Sequence, residues 1–328
     1  MLLQKKFKLL LILLLSLLVL NTFNACEKDD DTVEPKKTEV PEKPKEDKTE
    51  QSEGNEGEES EEGEITLYSV NGNVISKLKD YEVKENLVEL QKDTKKHTEI
   101  WRLISKIVPA NYKTFFNEYL IFTGTESGTY GYVVETKEDL TKWQIGIAID
   151  FAYEGGFNKD GELSYTIIHE FGHVLTLNDT QVDSKKTQND CQNYFPGEGC
   201  AKEGSYINAL FQNYWKDIND EFQDLGENES KKQAFYEKYQ DRFVTQYAST
   251  NPGEDIAESF THFVIFDKPT GDTYANQKVQ LLYKYPELVE LRNYIRNSLN
   301  IGTKSKSAPV IKVWKRGSTI GKKDQKRS

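Results

Sequence analysis

Methionine is almost absent from this sequence, since Met1 is the only one among 328 residues. This excludes any metal site in the folded part that needs a methionine beneath the ion. Cysteine is scarce as well: apart from Cys26, only Cys191 and Cys200 are present, at the two ends of CQNYFPGEGC. Because a redox or zinc pair of the CxxC type needs closer spacing, we expect these two cysteines to form a disulfide that closes a loop.

The longest run of mainly apolar residues, Leu9–Leu20, has twelve residues and is too short to span a bilayer comfortably. Lysines precede it, and this order is typical of a secretory signal peptide, which we place at residues 1–25. The segment ends in FNAC, which resembles the lipobox of bacterial lipoproteins, in which the cysteine is lipidated and becomes the mature N-terminus. We therefore expect a lipid on Cys26 and an extracytoplasmic, membrane-anchored protein exposed at the bacterial surface. A soluble secreted protein cleaved after Ala25 is the alternative.

Residues 27–64 hold seventeen acidic residues, six lysines and no aromatic residue. Such a composition cannot bury enough apolar surface to offset the loss of chain entropy, so we predict that residues 26–64 consist of the lipidated Cys26 and an acidic disordered linker. The net excess of eleven negative charges equals the −11 of the whole chain, which leaves the remainder about neutral. The acidic balance therefore says nothing about the partners of the folded part. Residues 303–328 are basic and predict a frayed tail, with contact to an anionic surface as the alternative.

Residues 65–302 have an ordinary globular composition without an internal repeat, and they predict one domain. Apolar residues at helical spacing over residues 75–108 indicate one or two amphipathic helices. Three runs rich in β-formers follow and predict a small antiparallel sheet, which lies just before a long apolar helix at residues 163–177. Further helical patterns fill the rest, so we expect an α+β fold that is mostly helical. The three runs are EYLIFTG, YGYVVET and KWQIGIAIDFAY.

The helix predicted at residues 163–177 contains HEFGH, with His169 and His173 four residues apart. Residues four apart lie on the same face of a helix, so both imidazoles can bind one ion. Zinc accepts two imidazoles and a carboxylate and keeps a fourth position for water. Glu170 lies about 100° around the helix from His169 and would face that water, where a general base is needed. The alternative is an ordinary buried helix in which hydrogen bonds satisfy both histidines.

Two positions compete for the third metal ligand, and Asp179 is the first. It lies six residues beyond His173, where the metzincin class of zinc proteases places its third ligand after a glycine. Thr176 occupies the glycine position here, and a β-branched residue is poorly suited to the positive φ of that turn. Metzincins also need a methionine turn beneath the metal, and Met1 is the only methionine. Asp179 is therefore the weaker candidate.

Glu254, about eighty residues downstream of the histidines, is the second candidate. Pro252 and Gly253 end a loop there, and an amphipathic helix begins at about Glu254. A glutamate at the start of such a helix can reach the histidine helix, which is the gluzincin arrangement of two histidines from one helix and a glutamate from another. Glu258 follows four residues later on the same face, and we expect it to accept a hydrogen bond from a ligand histidine and fix its tautomer. A solvated helix face is the alternative for both glutamates.

Two segments of the chain resemble the metalloprotease domain of anthrax lethal factor and its relatives, which include the Pro-Pro endopeptidases. The resemblance covers Thr166–Val174 with HEFGH, and Tyr247–Phe260 with a tyrosine followed by E-x-x-A-E-x-F. It implies a zincin-like metalloprotease fold and a tyrosine hydroxyl that faces the metal and stabilises the oxyanion of the transition state. The residues that it assigns are the zinc ligands His169, His173 and Glu254, the general base Glu170 and the oxyanion donor Tyr247.

We therefore predict a zinc-dependent metalloendopeptidase tethered to the cell envelope, with a peptide or protein substrate and, through its lipid, a membrane as partners. We expect a monomer and no nucleic-acid partner. The strand QIGIAIDF is expected to offer a sheet edge to an extended substrate, and the loop 178–204 is expected to border the cleft. A surface binding or adhesion module with a structural or inactive zinc site is the alternative. Glu170 favours the enzyme, because a purely structural site has no use for a base.

Overall fold

The structure, a computed structural model, describes residues 63–302. Within this range lie seven β-strands and eleven α-helices, and none of these helices is long and apolar enough to cross a membrane. Four predictions concern residues outside this range. They are the signal peptide, the lipidated Cys26, most of the acidic linker and the basic tail 303–328. Glu64, which composition assigns to the linker, is the first residue of a strand.

One sheet is built from five strands, which are β1 (Glu64–Asn71), β2 (Val74–Asp80), β3 (Phe116–Phe122), β4 (Gly131–Glu135) and β5 (Trp143–Ala148). Their order across the sheet is β2-β1-β3-β5-β4. Neighbouring strands are antiparallel except β3 and β5, which run parallel. The prediction of an antiparallel sheet is therefore wrong at this pair, because the chain first runs to the sheet edge in β4 and then inserts β5 between β4 and β3. The mixed sheet and its helices are compatible with the expected α+β class.

The segment 75–108, predicted to be helical throughout, begins as a strand. β2 pairs with β1 in a hairpin whose turn contains Gly72 at φ +60°, a conformation that suits glycine at the first central position of a type II′ turn. Ile75 and Leu78 are three residues apart, as on a helix face, but Leu78 is the extra residue of a β-bulge opposite the Leu67–Tyr68 step. The extra residue thus places Ile75 and Leu78 at a spacing typical of a helix, which explains why this strand was predicted as helical. The helices that follow are α1 (Val88–Lys92) and α2 (Thr94–Ile107).

Nine further helices complete the described part of the chain. They are α3 (Ala110–Lys113), α4 (Ile149–Ala152), α5 (Glu162–Leu177), α6 (Tyr206–Tyr214), α7 (Asn219–Gln223), α8 (Glu229–Tyr239), α9 (Pro252–Ile265), α10 (Tyr274–Leu282) and α11 (Pro286–Leu299). Because α4 begins directly after β5, the last part of KWQIGIAIDFAY is helical and does not extend the strand as predicted.

The long loop between α5 and α6 is held together at two places. Its strands β6 (Val182–Asp183) and β7 (Cys200–Ala201) pair antiparallel. A disulfide joins Cys191 to Cys200, which is the pairing expected from the sequence. The loop is therefore an ordered part of the domain beside the end of α5.

Helix α5 lies at the centre of the domain, and every residue from Leu163 to Leu177 is buried. It packs against β4 and against α9. Gly172 permits a close approach of the two helices, because a Cβ there would lie 3.2 Å from Cδ1 of Phe260 and 3.3 Å from the backbone Cα of Ala257. The side chains that α5 and α9 present to each other therefore meet at short range.

Candidate metal centre

Two histidines of α5 point into the space between α5 and α9. His169 and His173 are each 2% exposed, and their ring centroids are 4.7 Å apart. They lie one helical turn apart on the same face, as the four-residue spacing requires. A buried histidine pair must find partners for four ring nitrogens, so the groups opposite them decide what the pair can do.

The first turn of α9 brings a carboxylate to this pair. Asn251 caps the helix by accepting a hydrogen bond from the backbone N–H of Glu254 at 2.9 Å, and Pro252 begins the helix with its fixed φ. The sequence NPGE therefore sets where Glu254 lies relative to the helix axis. Its side chain is 1% exposed and points to α5, so the solvated helix face considered as an alternative is wrong.

The three side chains converge on one point. Oε2 of Glu254 lies 3.0 Å from Nε2 of His169 and 3.3 Å from Nε2 of His173, and the two Nε2 atoms are 3.0 Å apart. This buried group of His169, His173 and Glu254 could hold a metal ion. Four-coordinate metal–nitrogen bonds of about 2.0–2.1 Å place neighbouring ligand atoms about 3.3 Å apart, which is close to the observed triangle.

The hydrogen bonds around the histidines also fit a metal. Nδ1 of His169 bonds to Oε1 of Glu258 at 2.7 Å, so a neutral His169 keeps its proton there and turns the lone pair of Nε2 to Glu254. Two atoms with lone pairs facing each other at 3.0 Å repel unless a proton or a cation lies between them. Nδ1 of His173 is buried without a hydrogen-bond partner among the described residues, which leaves Nε2 as the only atom through which this ring can be satisfied.

Glu258, one turn after Glu254, fixes the orientation of His169. Besides the Nδ1 contact, its other oxygen accepts hydrogen bonds from the hydroxyls of Tyr165 and Thr245, each at 2.7 Å. The carboxylate is completely buried. It accepts the hydrogen bond from His169 that the sequence analysis expected, and such a bond fixes the tautomer of a histidine.

The charges of this site perturb one another. Burial by itself lowers the pKa of His169, but hydrogen bonds to Glu254 and Glu258 outweigh it and raise this pKa well above its ordinary value. Burial raises the pKa of Glu254, yet the nearby His173 and His169 lower it overall. The pKa of Glu258 is also lowered, because hydrogen bonds from His169 and two hydroxyls outweigh burial. Two buried carboxylates that stay charged make this pocket favourable for a cation.

Two further predicted residues border the triangle. Glu170, 5% exposed, lies between the two histidines on α5, and burial raises its pKa, partly opposed by His169 and His173. Tyr247 begins a short 3-10 helix, Tyr247–Ser249, and its ring centroid is 5.7 Å from that of His169. Burial and the charges of Glu254 and Glu170 raise the pKa of Tyr247, so its hydroxyl stays protonated and can donate.

The structure separates Asp179 from this group. In the described part of the chain, the residues that could hold a metal do not include it, and it follows the end of α5 with its backbone N–H donating to the carbonyl of Leu140 at 3.3 Å. Sequence analysis missed Tyr165 and Thr245. Tyr165 lies four residues before His169, so helical spacing could have placed it on the same face, whereas no pattern pointed to Thr245.

The expected substrate edge is also corrected. Only the QIGIA part of QIGIAIDF lies in β5, and β5 pairs with β3 along one edge and with β4 along the other. Among the described strands the edge of the sheet on this side is β4, because β5 occupies the place between β4 and β3.

No family model, curated protein or solved structure matches this chain. What the site can do therefore follows from its own chemistry: two imidazoles and a carboxylate that can hold a cation, a second carboxylate behind one imidazole, and an acid and a phenol beside them.

Proposed function

We propose that this protein is a zinc-dependent metalloendopeptidase of the gluzincin type with a zincin-like fold. The observation that carries the proposal is the convergence of His169, His173 and Glu254 within 3.0–3.3 Å of one another, with Glu170 buried beside them on the same helix. A structural metal site needs ligands only, whereas a buried carboxylate next to the ligands is the group that peptide hydrolysis requires. The resemblance of these segments to lethal factor and the Pro-Pro endopeptidases supports the same activity.

Zinc is the metal that this ligand set suits best. Two imidazoles and one carboxylate are typical of catalytic zinc, whereas calcium and magnesium prefer oxygen ligands only. A zinc ion held by His169, His173 and Glu254 supplies Lewis-acid activation of water and of a peptide carbonyl.

Glu170 moves the protons. As general base it takes a proton from the attacking water, and as general acid it passes that proton to the nitrogen of the leaving amine. Burial keeps bulk water from exchanging protons with Glu170 and raises the pKa of its carboxyl. The carboxylate can therefore hold the proton taken from the water until it passes that proton to the amine. Replacing it should abolish turnover without removing a metal ligand.

Tyr247 stabilises the charge that develops on the substrate oxygen. Its phenol stays protonated because burial and the charges of Glu254 and Glu170 raise its pKa. The hydroxyl is held beside the ligand group by a hydrogen bond to the side chain of Glu254, and from there it would donate to the oxyanion in the transition state. Its position over His169, at 5.7 Å between ring centroids, supports this role.

The substrate would bind along β4. Gly131, the first residue of this strand, lies against α5, since a Cβ there would lie 2.7 Å from Cγ2 of Thr166. Thr166 is one turn before Glu170, so an extended peptide that adds to the edge of β4 runs beside the catalytic helix. Backbone pairing of this kind suits an endopeptidase, because it binds a chain on both sides of the cleaved bond.

The location of the protein follows from two parts of the chain. The disulfide between Cys191 and Cys200 supports an oxidising compartment outside the cytoplasm. The FNAC segment supports a lipid on Cys26 and hence attachment to a bacterial membrane. We propose a peptidase that faces the surroundings of the cell.

The decisive experiment combines metal analysis with cleavage of a peptide library. We expect about one zinc per chain and cleavage that is lost in Glu170→Gln while zinc is retained. Glu162→Gln is the matched control, because Glu162 lies in the first turn of α5 away from the metal group. Stoichiometric zinc without any Glu170-dependent cleavage would refute the peptidase and favour a binding module with a structural metal.

A further inference from the structure

A single carboxylate, that of Glu258, links His169 to the turn that carries Tyr247. Oε1 of Glu258 holds Nδ1 of His169, and Oε2 accepts the hydroxyl of Thr245, both at 2.7 Å. The same Thr245 hydroxyl oxygen accepts the backbone N–H of Ala248 at 3.1 Å. Ala248 is the residue directly after Tyr247, so a continuous chain of hydrogen bonds runs from the histidine ring to the tyrosine turn.

This chain needs a hydroxyl at position 245. Only a group that donates and accepts at once can bond to a carboxylate and to a backbone N–H together. Glu258 is completely buried and Thr245 is partly buried, so the hydrogen bond lies in a region of low dielectric that strengthens it. The 3-10 helix Tyr247–Ser249 also packs against α9, and without Thr245 it would lose the hydrogen bonds that tie it to Glu258.

We propose that Thr245 is a positioning residue that keeps the hydroxyl of Tyr247 in register with His169. Its effect on turnover rests on the proposed peptidase function, whereas its effect on the turn does not. The side chain of Thr245 bonds to Glu258 and to the backbone N–H of Ala248, so it acts through Glu258 on one side and through Tyr247 on the other.

Tyr165 makes it possible to separate these two sides. Its hydroxyl bonds to the same oxygen, Oε2 of Glu258, at 2.7 Å, but it lies on α5, whereas the hydrogen bond from the backbone N–H of Ala248 is accepted by Thr245. Tyr165→Phe therefore weakens the support of Glu258 alone, whereas Thr245→Val weakens that support and also releases the turn.

The experiment compares Thr245→Val and Thr245→Ser in the full chain, loaded with zinc and checked for one ion per chain. Thr261→Val is the control, because Thr261 is a buried threonine of α9 whose hydroxyl donates only to its own helix, at the carbonyl of Ala257. We expect Thr245→Val to speed amide hydrogen exchange at Ala248 by about tenfold or more. Thr245→Ser and Thr261→Val should leave this exchange within about twofold of the wild-type value.

The kinetic part measures the effect of Thr245→Val on kcat twice, once in the wild-type protein and once in the Tyr247→Phe variant. We expect Thr245→Val to lower kcat about tenfold with KM little changed. When Tyr247→Phe is already present, Thr245→Val should lower kcat by a smaller factor, because only the support of Glu258 is then left to lose. Tyr165→Phe should keep the normal exchange rate at Ala248. If Thr245→Val does not fold, Thr245→Ala replaces it, because this change removes the hydroxyl without adding volume.

Two results overturn the proposal. One is an unchanged exchange rate at Ala248 in Thr245→Val. The other is an equal loss of kcat in the wild-type and Tyr247→Phe backgrounds, which means that Thr245 does not act through Tyr247. If the wild-type protein cleaves no peptide, the proposed function fails by itself, and the exchange rates alone still decide whether Thr245 holds the turn.

Discussion

Gly172→Ala should weaken metal binding although it touches no ligand. Gly172 lies on α5 next to His173, on the face that packs against α9. A Cβ there would be 3.2 Å from Cδ1 of Phe260 and 3.3 Å from Cα of Ala257. The ring of Phe260 can rotate, but Ala257 offers backbone, so α9 must move.

The size of the effect follows from these distances. Ordinary carbon contacts lie at about 3.5–4.0 Å, so α9 has to shift by about 0.4 Å. Glu254 is one turn before Ala257 on α9 and would shift with it, whereas metal–ligand distances are tolerated within about 0.2 Å. Overpacking costs about 1–3 kcal/mol. Metal binding returns α9 to its original position, so this cost is subtracted from the free energy of metal binding. We therefore expect metal affinity to fall by about tenfold to a hundredfold.

Competition with a chelator of known zinc affinity measures this change, with urea unfolding of the metal-free protein as the second readout. The stability of the metal-free protein should change little, because α9 is free to shift when no metal holds Glu254, and alanine gains about 1 kcal/mol in a helix over glycine. Gly204→Ala is the control, since a Cβ there meets nothing within 4 Å. Metal affinity in Gly172→Ala within twofold of wild type would refute the idea that close helix packing positions Glu254.

Two further predictions concern the domain around the site. Lys278→Met leaves the buried Asp255 without its cation, since Lys278 bonds to the carboxylate oxygen that also accepts the Nε1–H of Trp215 at 2.6 Å. We expect the free energy of unfolding, measured in urea, to fall by about 3–5 kcal/mol. A fall below about 1 kcal/mol would contradict the assigned ion pair. Replacing Cys191 and Cys200 together by serine opens the loop of CQNYFPGEGC; we expect about 2–3 kcal/mol less stability under oxidising conditions, and an unchanged urea midpoint would show that the crosslink contributes nothing.

The fold could be predicted from the sequence only where a pattern is local. The apolar residues around HEFGH predicted α5 correctly, because a helix that is buried along its whole length is apolar on all sides. The position of β5 between β3 and β4 could not be predicted, since strand order depends on contacts between distant residues. The hairpin turn at Gly72 was readable in NGN, but the bulge at Leu78 placed apolar residues at helical spacing and concealed the strand.

The candidate site shows the same division. His169, Glu170 and His173 follow from one short motif, and the start of α9 follows from the cap and proline of NPGE. Thr245 could not be found, because its role depends on a loop that folds back onto Glu258. A single threonine in a polar segment carries no pattern that distinguishes it from its neighbours.

The central claim is that His169, His173 and Glu254 hold one metal ion. Metal content after dialysis, measured for wild type, Glu254→Ala and Asp179→Ala, tests it most directly. We expect about one zinc per chain in wild type and Asp179→Ala, and loss of the ion in Glu254→Ala, because the ion then keeps only two protein ligands. Zinc retained in Glu254→Ala but lost in Asp179→Ala would contradict the assignment.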